Sequence, residues 1–77
     1  MQLSEFIALL NKLEDNKIFY ELKKHRREAI MIEVSVPGQH WEIECLDDGS
    51  VDIEKFIADG DMYDGEELET LFKKFSD

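Results

Sequence analysis

The chain has 77 residues and carries 19 acidic side chains against 9 basic ones, a formal net charge of −10. With 43% hydrophobic and 10% aromatic residues, it has too much apolar material for an intrinsically disordered segment, and its length indicates a single domain over residues 1–77. The same length excludes a multidomain chain, a doubly wound nucleotide fold and a fold with a large catalytic cleft.

The first predicted element is an amphipathic helix near the N-terminus, with Ser4 placed to cap it. Its apolar side chains recur with the i, i+3, i+4, i+7 spacing of one helical face, and they are Leu3, Phe6, Ile7, Leu10 and Leu13. The longest apolar run, residues 6–10, is too short to span a membrane, and no basic stretch precedes it as in a signal peptide. Because Cys45 is the only cysteine, no internal disulfide is expected and a cytoplasmic location is the simplest prediction.

The hydrophobic period then changes to two, which is typical of strands with one buried face. Strands are predicted over residues 18–22, 30–36, 40–45 and 51–54, with turns at Pro37-Gly38 and at residues 47–49. In the first of these strands Phe19 interrupts the alternation, so the face on which it lies is left open. The register of the others follows from matching their apolar faces, because a slip of one residue would turn a strand inside out.

Two hairpin registers follow from this matching. Pairing residue 36 with 39 places Val34 beside Trp41 and Ile32 beside Ile43. A three-residue loop over 47–49, with Gly49 in the left-handed conformation, then pairs Ile43 with Ile53. Trp41 and Cys45 are both predicted to lie inside.

A second helix is predicted near the C-terminus, with Asp64 as its N-cap and a capping box completed by Glu67. Its apolar stripe consists of Leu68, Leu71, Phe72 and Phe75. The predicted fold class is therefore α+β, in the order α-β-β-β-β-α: a four-stranded antiparallel meander with both helices packed on one face.

The acidic charge is concentrated, since residues 28–72 hold fourteen acidic side chains and a single lysine. In the predicted register Glu33 lies opposite Glu42, Glu42 opposite Glu54, and Glu44 opposite Asp52, all on the polar face. Directly opposed like charges are destabilising, and the sequence suggests no Lys or Arg interleaved among these five. We interpret them as an electronegative docking surface, the alternative being an acidic face that serves only solubility.

Two less charged residues, Met31 and His40, are predicted to line the same surface, and Phe19 would join them if it faces outward. An acidic field disfavours nucleic acid and anionic membranes and favours a cationic protein partner. The basic run over residues 23–27 is interpreted as a solvated turn, because it lacks interleaved aromatic residues.

No catalytic, cofactor or metal site is predicted. Paired carboxylates need an enclosed site to act as acid and base, which an open sheet face does not supply. Asp59, Asp61 and Asp64 do not follow the spacing of a calcium loop, since Asp64 stands where the glycine should be. The chain is thus not expected to be an enzyme.

About half of the chain resembles small acidic bacterial immunity proteins encoded beside polymorphic toxins. The resemblance lies in residues 29–38, 41–44, 48–51 and 63–64, and rests on strand pattern and turn chemistry. It implies a cytosolic, stoichiometric inhibitor that masks the active surface of a toxin.

The function hypothesis is therefore a non-enzymatic binding protein of the immunity type, a monomer or weak homodimer, whose acidic face docks a basic toxin such as a nuclease. Two alternatives stay open. One is a structural or self-associating domain, with Phe19, Met62 and Tyr63 or a sheet edge in the contact. The other is a domain that binds divalent cations weakly.

Overall fold

A computed structural model describes residues 1–56, 62–63 and 67–75, with only the backbone described at 62–63, 67 and 74–75. Two helices flank five strands. In chain order these are α1 (Leu3–Asp15), β1 (Phe19–Lys23), β2 (Ala29–Val36), β3 (Gln39–Leu46), β4 (Val51–Phe56), β5 (Met62–Tyr63) and α2 (Glu67–Phe75).

Helix α1 begins at Leu3, so Ser4 lies inside the helix and is not its N-cap. The N-cap is Gln2, whose backbone nitrogen donates to Oε1 of Glu5 at 3.1 Å in a capping box. The prediction of Ser4 was wrong because an N-cap glutamine with a glutamate three residues later satisfies the same free amides. The cap predicted at Asp64 for the second helix lies outside the described residues.

The strands form an antiparallel sheet in the order β1-β2-β3-β4-β5, which confirms the meander and extends it by the two-residue β5. Both predicted hairpin registers are confirmed: Val34 pairs with Trp41, and Ile43 pairs with Ile53. At the second loop Gly49 has φ +93°, the left-handed conformation that the three-residue loop requires.

The core lies between one face of the sheet, here called the inner face, and the two helices. Leu13 of α1 and Leu71 of α2 are fully buried together with Trp41, Ile43 and Ile53 of the sheet. The two helices therefore pack on the same face, and the α+β class is confirmed. The buried indole is satisfied locally, because Nε1 of Trp41 donates to the side chain of Gln39 at 2.8 Å.

Neither described helix has the length and apolar character needed to cross a lipid bilayer, since α1 has 13 residues and α2 has 9.

Candidate functional site

The face of the sheet opposite the helices, here called the outer face, carries three rows of side chains that run across the strands. They form because residues opposed in antiparallel register lie side by side. The central one, the acidic row, consists of Glu21, Glu33, Glu42 and Glu54. The row on one side consists of Phe19, Ser35, His40 and Phe56. The row on the other side consists of Lys23, Met31, Glu44 and Asp52.

The acidic row crosses four strands without interruption. Since neighbouring strands are about 4.8 Å apart, it extends over about 14 Å. Beyond Glu54 the backbone of Met62 continues the pairing on β5. Glu21 was not part of the predicted surface, because the interrupted alternation of β1 left its pairing with β2 open. The seven residues between the paired Lys23 and Met31 set Glu21 opposite Glu33, and this segment has no Gly, Pro, Asn or Asp that would have indicated its length from the sequence.

The five carboxylates predicted to share one face do so, and their predicted cross-strand pairs are confirmed. They range from partly to largely exposed: the side chains of Glu44 and Glu33 are 15% and 18% exposed, and that of Asp52 is 51% exposed. Met31 and His40 lie on the same face, as predicted. The open question about Phe19 is settled by its 64% exposure on the outer face.

The expectation that no Lys or Arg is interleaved was wrong, because two residues of the basic run reach the outer face. Nζ of Lys23 lies 3.0 Å from Glu33, and Arg26 lies 2.6 Å from Glu44 and 3.8 Å from Asp52. Arg26 binds Glu44 through two nitrogens, which makes a bidentate pair. The predicted turn is therefore solvated but also neutralises one margin of the acidic surface.

These contacts shift the ionisation of both bases. A hydrogen bond to Glu33, reinforced by the charge of that carboxylate, raises the pKa of Lys23 above its ordinary value. A hydrogen bond to Glu44 likewise raises the pKa of Arg26, and the charge of Glu44 adds to it. Both bases thus stay charged beside the face, and Glu33 and Glu44 are its neutralised members.

The other three carboxylates of the acidic row have no such partner among the described residues. Within the described part of the chain, Glu21, Glu42 and Glu54 make no salt bridge with Lys or Arg. The closest basic group recorded for Glu42 is His40, with Nε2 of the imidazole 3.6 Å from Oε2 of the carboxylate, and the charge of Lys23 also acts on Glu42 from further away. The electronegative centre of the outer face therefore lies along this row, further from Glu44 and Asp52 than the sequence indicated.

Exposed aromatic rings border the acidic row. The rings of His40 and Phe56 have centroids 5.6 Å apart and are tilted by 44°. Phe56 is 45% exposed and Phe19, at the other end of the same cross-strand row, is 64% exposed. Aromatic side chains beside a charged strip offer a partner both apolar contact and a surface for cation–π interaction.

A cavity of about 300 Å³ lies on the other side of the sheet, between the start of α1 and the inner face. Its apolar lining includes Leu3, Phe6 and Ile30, and Cys45 also lines it. Burial raises the pKa of the Cys45 thiol above its ordinary value, which disfavours the reactive thiolate. None of the carboxylates of the acidic row lines this cavity.

Comparison of the chain with protein-family models, with curated proteins and with solved structures finds no match. The function of the outer face has to be argued from its geometry and charge.

Proposed function

We propose that the chain is a non-enzymatic binding protein whose outer face docks a cationic protein. The observation that carries this proposal is the acidic row, four glutamates opposed to one another across four strands. Opposed like charges destabilise a sheet, and a surface needed only for solubility works as well with mixed signs. A cationic partner bound to this row would neutralise its negative charges and relieve their repulsion, which gives the row a function that solubility alone does not require.

The mechanism is electrostatic steering followed by contact with the row. The summed field of the acidic face raises the rate of encounter with a basic surface, and this rate falls as salt screens the charges. Glu21, Glu42 and Glu54 contribute most, because Lys23 and Arg26 already neutralise other carboxylates of the face. His40 and Met31 beside them are partly exposed, and they add contact area that is less polar than the carboxylates.

The biological role that we propose is that of an immunity-type inhibitor in the cytoplasm of a bacterium, in line with the resemblance noted from the sequence. Such a protein would occlude the cationic active surface of a toxin, for instance a nuclease whose basic residues bind phosphate. The occlusion needs no chemistry from the inhibitor itself, which agrees with an open acidic face.

The test uses two variants with the same change in net charge. The first, E21Q/E42Q/E54Q, removes the unpaired charges of the acidic row. The matched control, D15N/D47N/E69Q, removes three exposed charges from other surfaces. Association with the product of the neighbouring gene is measured by stopped-flow mixing at low and high salt, with a chelator present.

We expect the row variant to lower the association rate by about tenfold or more and to flatten its salt dependence, with little change in the control. Equal losses in the two variants would mean that only overall charge matters. A neighbouring gene whose product is neither basic nor toxic would contradict the immunity role.

Self-association is the second candidate, and one observation favours it. Four large apolar side chains near the start of α1 and the edge strand β1 are exposed by 40–72%, namely Leu3, Ile7, Leu22 and Ile30. The contact predicted from the sequence used Phe19, which is exposed, together with Met62 and Tyr63, whose side chains lie outside the described residues. Sedimentation discriminates between the two functions: a dimer that persists at all salt concentrations favours self-association, and a monomer favours the docking proposal.

A further inference from the structure

Three side chains at the centre of the outer face bring metal-ligating atoms together. Glu33, His40 and Glu42 each offer one such atom, and these atoms all lie within 4.8 Å of one another. The register causes this grouping, because Glu33 lies directly opposite Glu42 and His40 lies on the same face two residues before Glu42. All three side chains are partly exposed, so an ion from solvent has access to them.

We propose that Glu33, His40 and Glu42 form a binding site for a transition-metal dication of the Zn²⁺ class. Nε2 of His40 lies 3.6 Å from Oε2 of Glu42. Two ligands at zinc bond lengths of about 2.0–2.2 Å in tetrahedral geometry are separated by about 3.4 Å. These two atoms therefore need to move only slightly to share an ion. Glu33 supplies the third ligand, and water completes the coordination, as in zinc sites with an open position.

The donor set selects the class of metal. Imidazole nitrogen suits zinc, copper and nickel, and two carboxylates are compatible with the same ions. Calcium takes six to eight oxygen ligands, and magnesium requires near-ideal octahedral oxygen geometry. A site that contributes one nitrogen and two carboxylates from two neighbouring strands meets neither requirement.

Two features of the surroundings act on the site in opposite directions. A dication would relieve the repulsion between Glu33 and Glu42, which face each other across the strands. Against this, Nζ of Lys23 lies 3.0 Å from the Glu33 carboxylate and has to give way when the ion binds. The strand register places His40 on the same face as the two carboxylates, and its ring contacts that of Phe56 with centroids 5.6 Å apart.

The test measures binding of Zn²⁺ alone and of Mg²⁺ alone to the untagged full chain, by titration calorimetry and by the shift in melting temperature. H40Q is compared with H25Q, because His25 lies in the exposed turn after β1. E42Q is compared with E54Q, which removes the same charge from the neighbouring position of the acidic row. Far-UV circular dichroism verifies that each variant is folded.

We expect Zn²⁺ to bind and Mg²⁺ not to bind at comparable concentrations. H40Q and E42Q should each lower the affinity for Zn²⁺ by at least about tenfold, since loss of even an indirect supporting partner commonly costs that much. H25Q and E54Q should stay within about twofold of wild type, and K23Q should bind Zn²⁺ at least as tightly as wild type.

Three results would overturn the site: equal binding of Mg²⁺ and Zn²⁺, undiminished affinity in H40Q, or a loss in E54Q as large as that in E42Q. Each would indicate a diffuse cation atmosphere around the acidic row. Because no protein partner takes part in these titrations, their outcome is independent of whether the outer face docks a cationic protein.

Discussion

Neutralising Glu42 should make the fold more stable, which is unusual for a partly buried residue at the centre of a sheet. Glu42 is opposed by Glu33 on one side and by Glu54 on the other, and no Lys or Arg within the described residues pairs with it. The substitution E42Q keeps the size and most of the hydrogen-bonding capacity of the side chain. It therefore removes charge and little else.

The size of the gain follows from the two opposed pairs. Unit charges about 5 Å apart in water repel by about 0.8 kcal/mol, and physiological salt reduces this by about half. Two such pairs sum to about 0.8 kcal/mol, and the charge of Lys23, which pairs with Glu33 and also acts on Glu42, offsets part of this repulsion. We expect the free energy of unfolding to rise by about 0.4–0.8 kcal/mol, which in a domain of this length raises the melting temperature by about 2–6 °C.

The matched control is E33Q, which changes the same residue type in the same row. Glu33 is also flanked by two carboxylates, Glu21 and Glu42, but it makes an ion pair with Lys23 at 3.0 Å. Its neutralisation removes that attraction together with the repulsion, so the melting temperature should stay at or below that of wild type.

Urea unfolding and thermal melts in the presence of a chelator, at low and at high salt, measure both variants. The advantage of E42Q over wild type should shrink as salt increases, because screening weakens the repulsion that it removes. If E33Q stabilises the fold as much as E42Q does, the Lys23 pair is irrelevant and only net charge matters. If E42Q destabilises the fold, the repulsive interpretation of the acidic row is wrong.

Three further predictions concern other parts of the chain. Because burial raises the pKa of Cys45, alkylation by iodoacetamide, which needs the thiolate, should reach its half-maximal rate at higher pH in the folded chain than in urea. The phenol of Tyr20 donates a hydrogen bond to Glu14 at 2.5 Å, and this bond raises the pKa of the phenol. E14Q should therefore lower the pH at which Tyr20 ionises, as followed by NMR. The contribution of the bond to stability is present in neutral solution and is lost as pH rises through the raised pKa. Gly49→Ala should destabilise the fold by about 1 kcal/mol or more, because φ is +93° and the new Cβ would lie 2.9 Å from the backbone nitrogen of the first residue. Gly38→Ala, at φ +76° with open space around it, should cost less in the same urea titration.

The sheet could be predicted from the sequence because two independent signals agree. The alternation of apolar residues gives each strand an inner face, and the length of each turn then leaves a single register that keeps those faces together. Trp41 is an example, since its pairing with Val34 and its complete burial follow from this matching. The charged face is then determined as well, since the residues between the apolar ones must point the other way.

The parts that the sequence did not reveal depend on long, flexible side chains and on an edge strand. Lys23 and Arg26 stand in a run that looks like a solvated turn, and nothing in the local pattern shows that they reach across to Glu33 and Glu44. Strand β1 has a polar outer face and an interruption at Phe19, so its alternation gave no register. The N-cap at Gln2 was missed because glutamine is not among the preferred capping residues.

The fold tolerates the acidic row because the opposite face of the same strands is so well buried. Trp41, Ile43 and Ile53 have no exposed surface, and burial of each such side chain contributes about 1.5–3 kcal/mol, whereas each opposed glutamate pair costs a few tenths of a kcal/mol after screening. A register that moved the glutamates apart would expose these core residues, so repulsion alone cannot alter the pairing. Substitution could remove the repulsion without disturbing the core, as E42Q is expected to show. The row is therefore not required for folding, and this is the physical reason to look for its function in what binds the outer face.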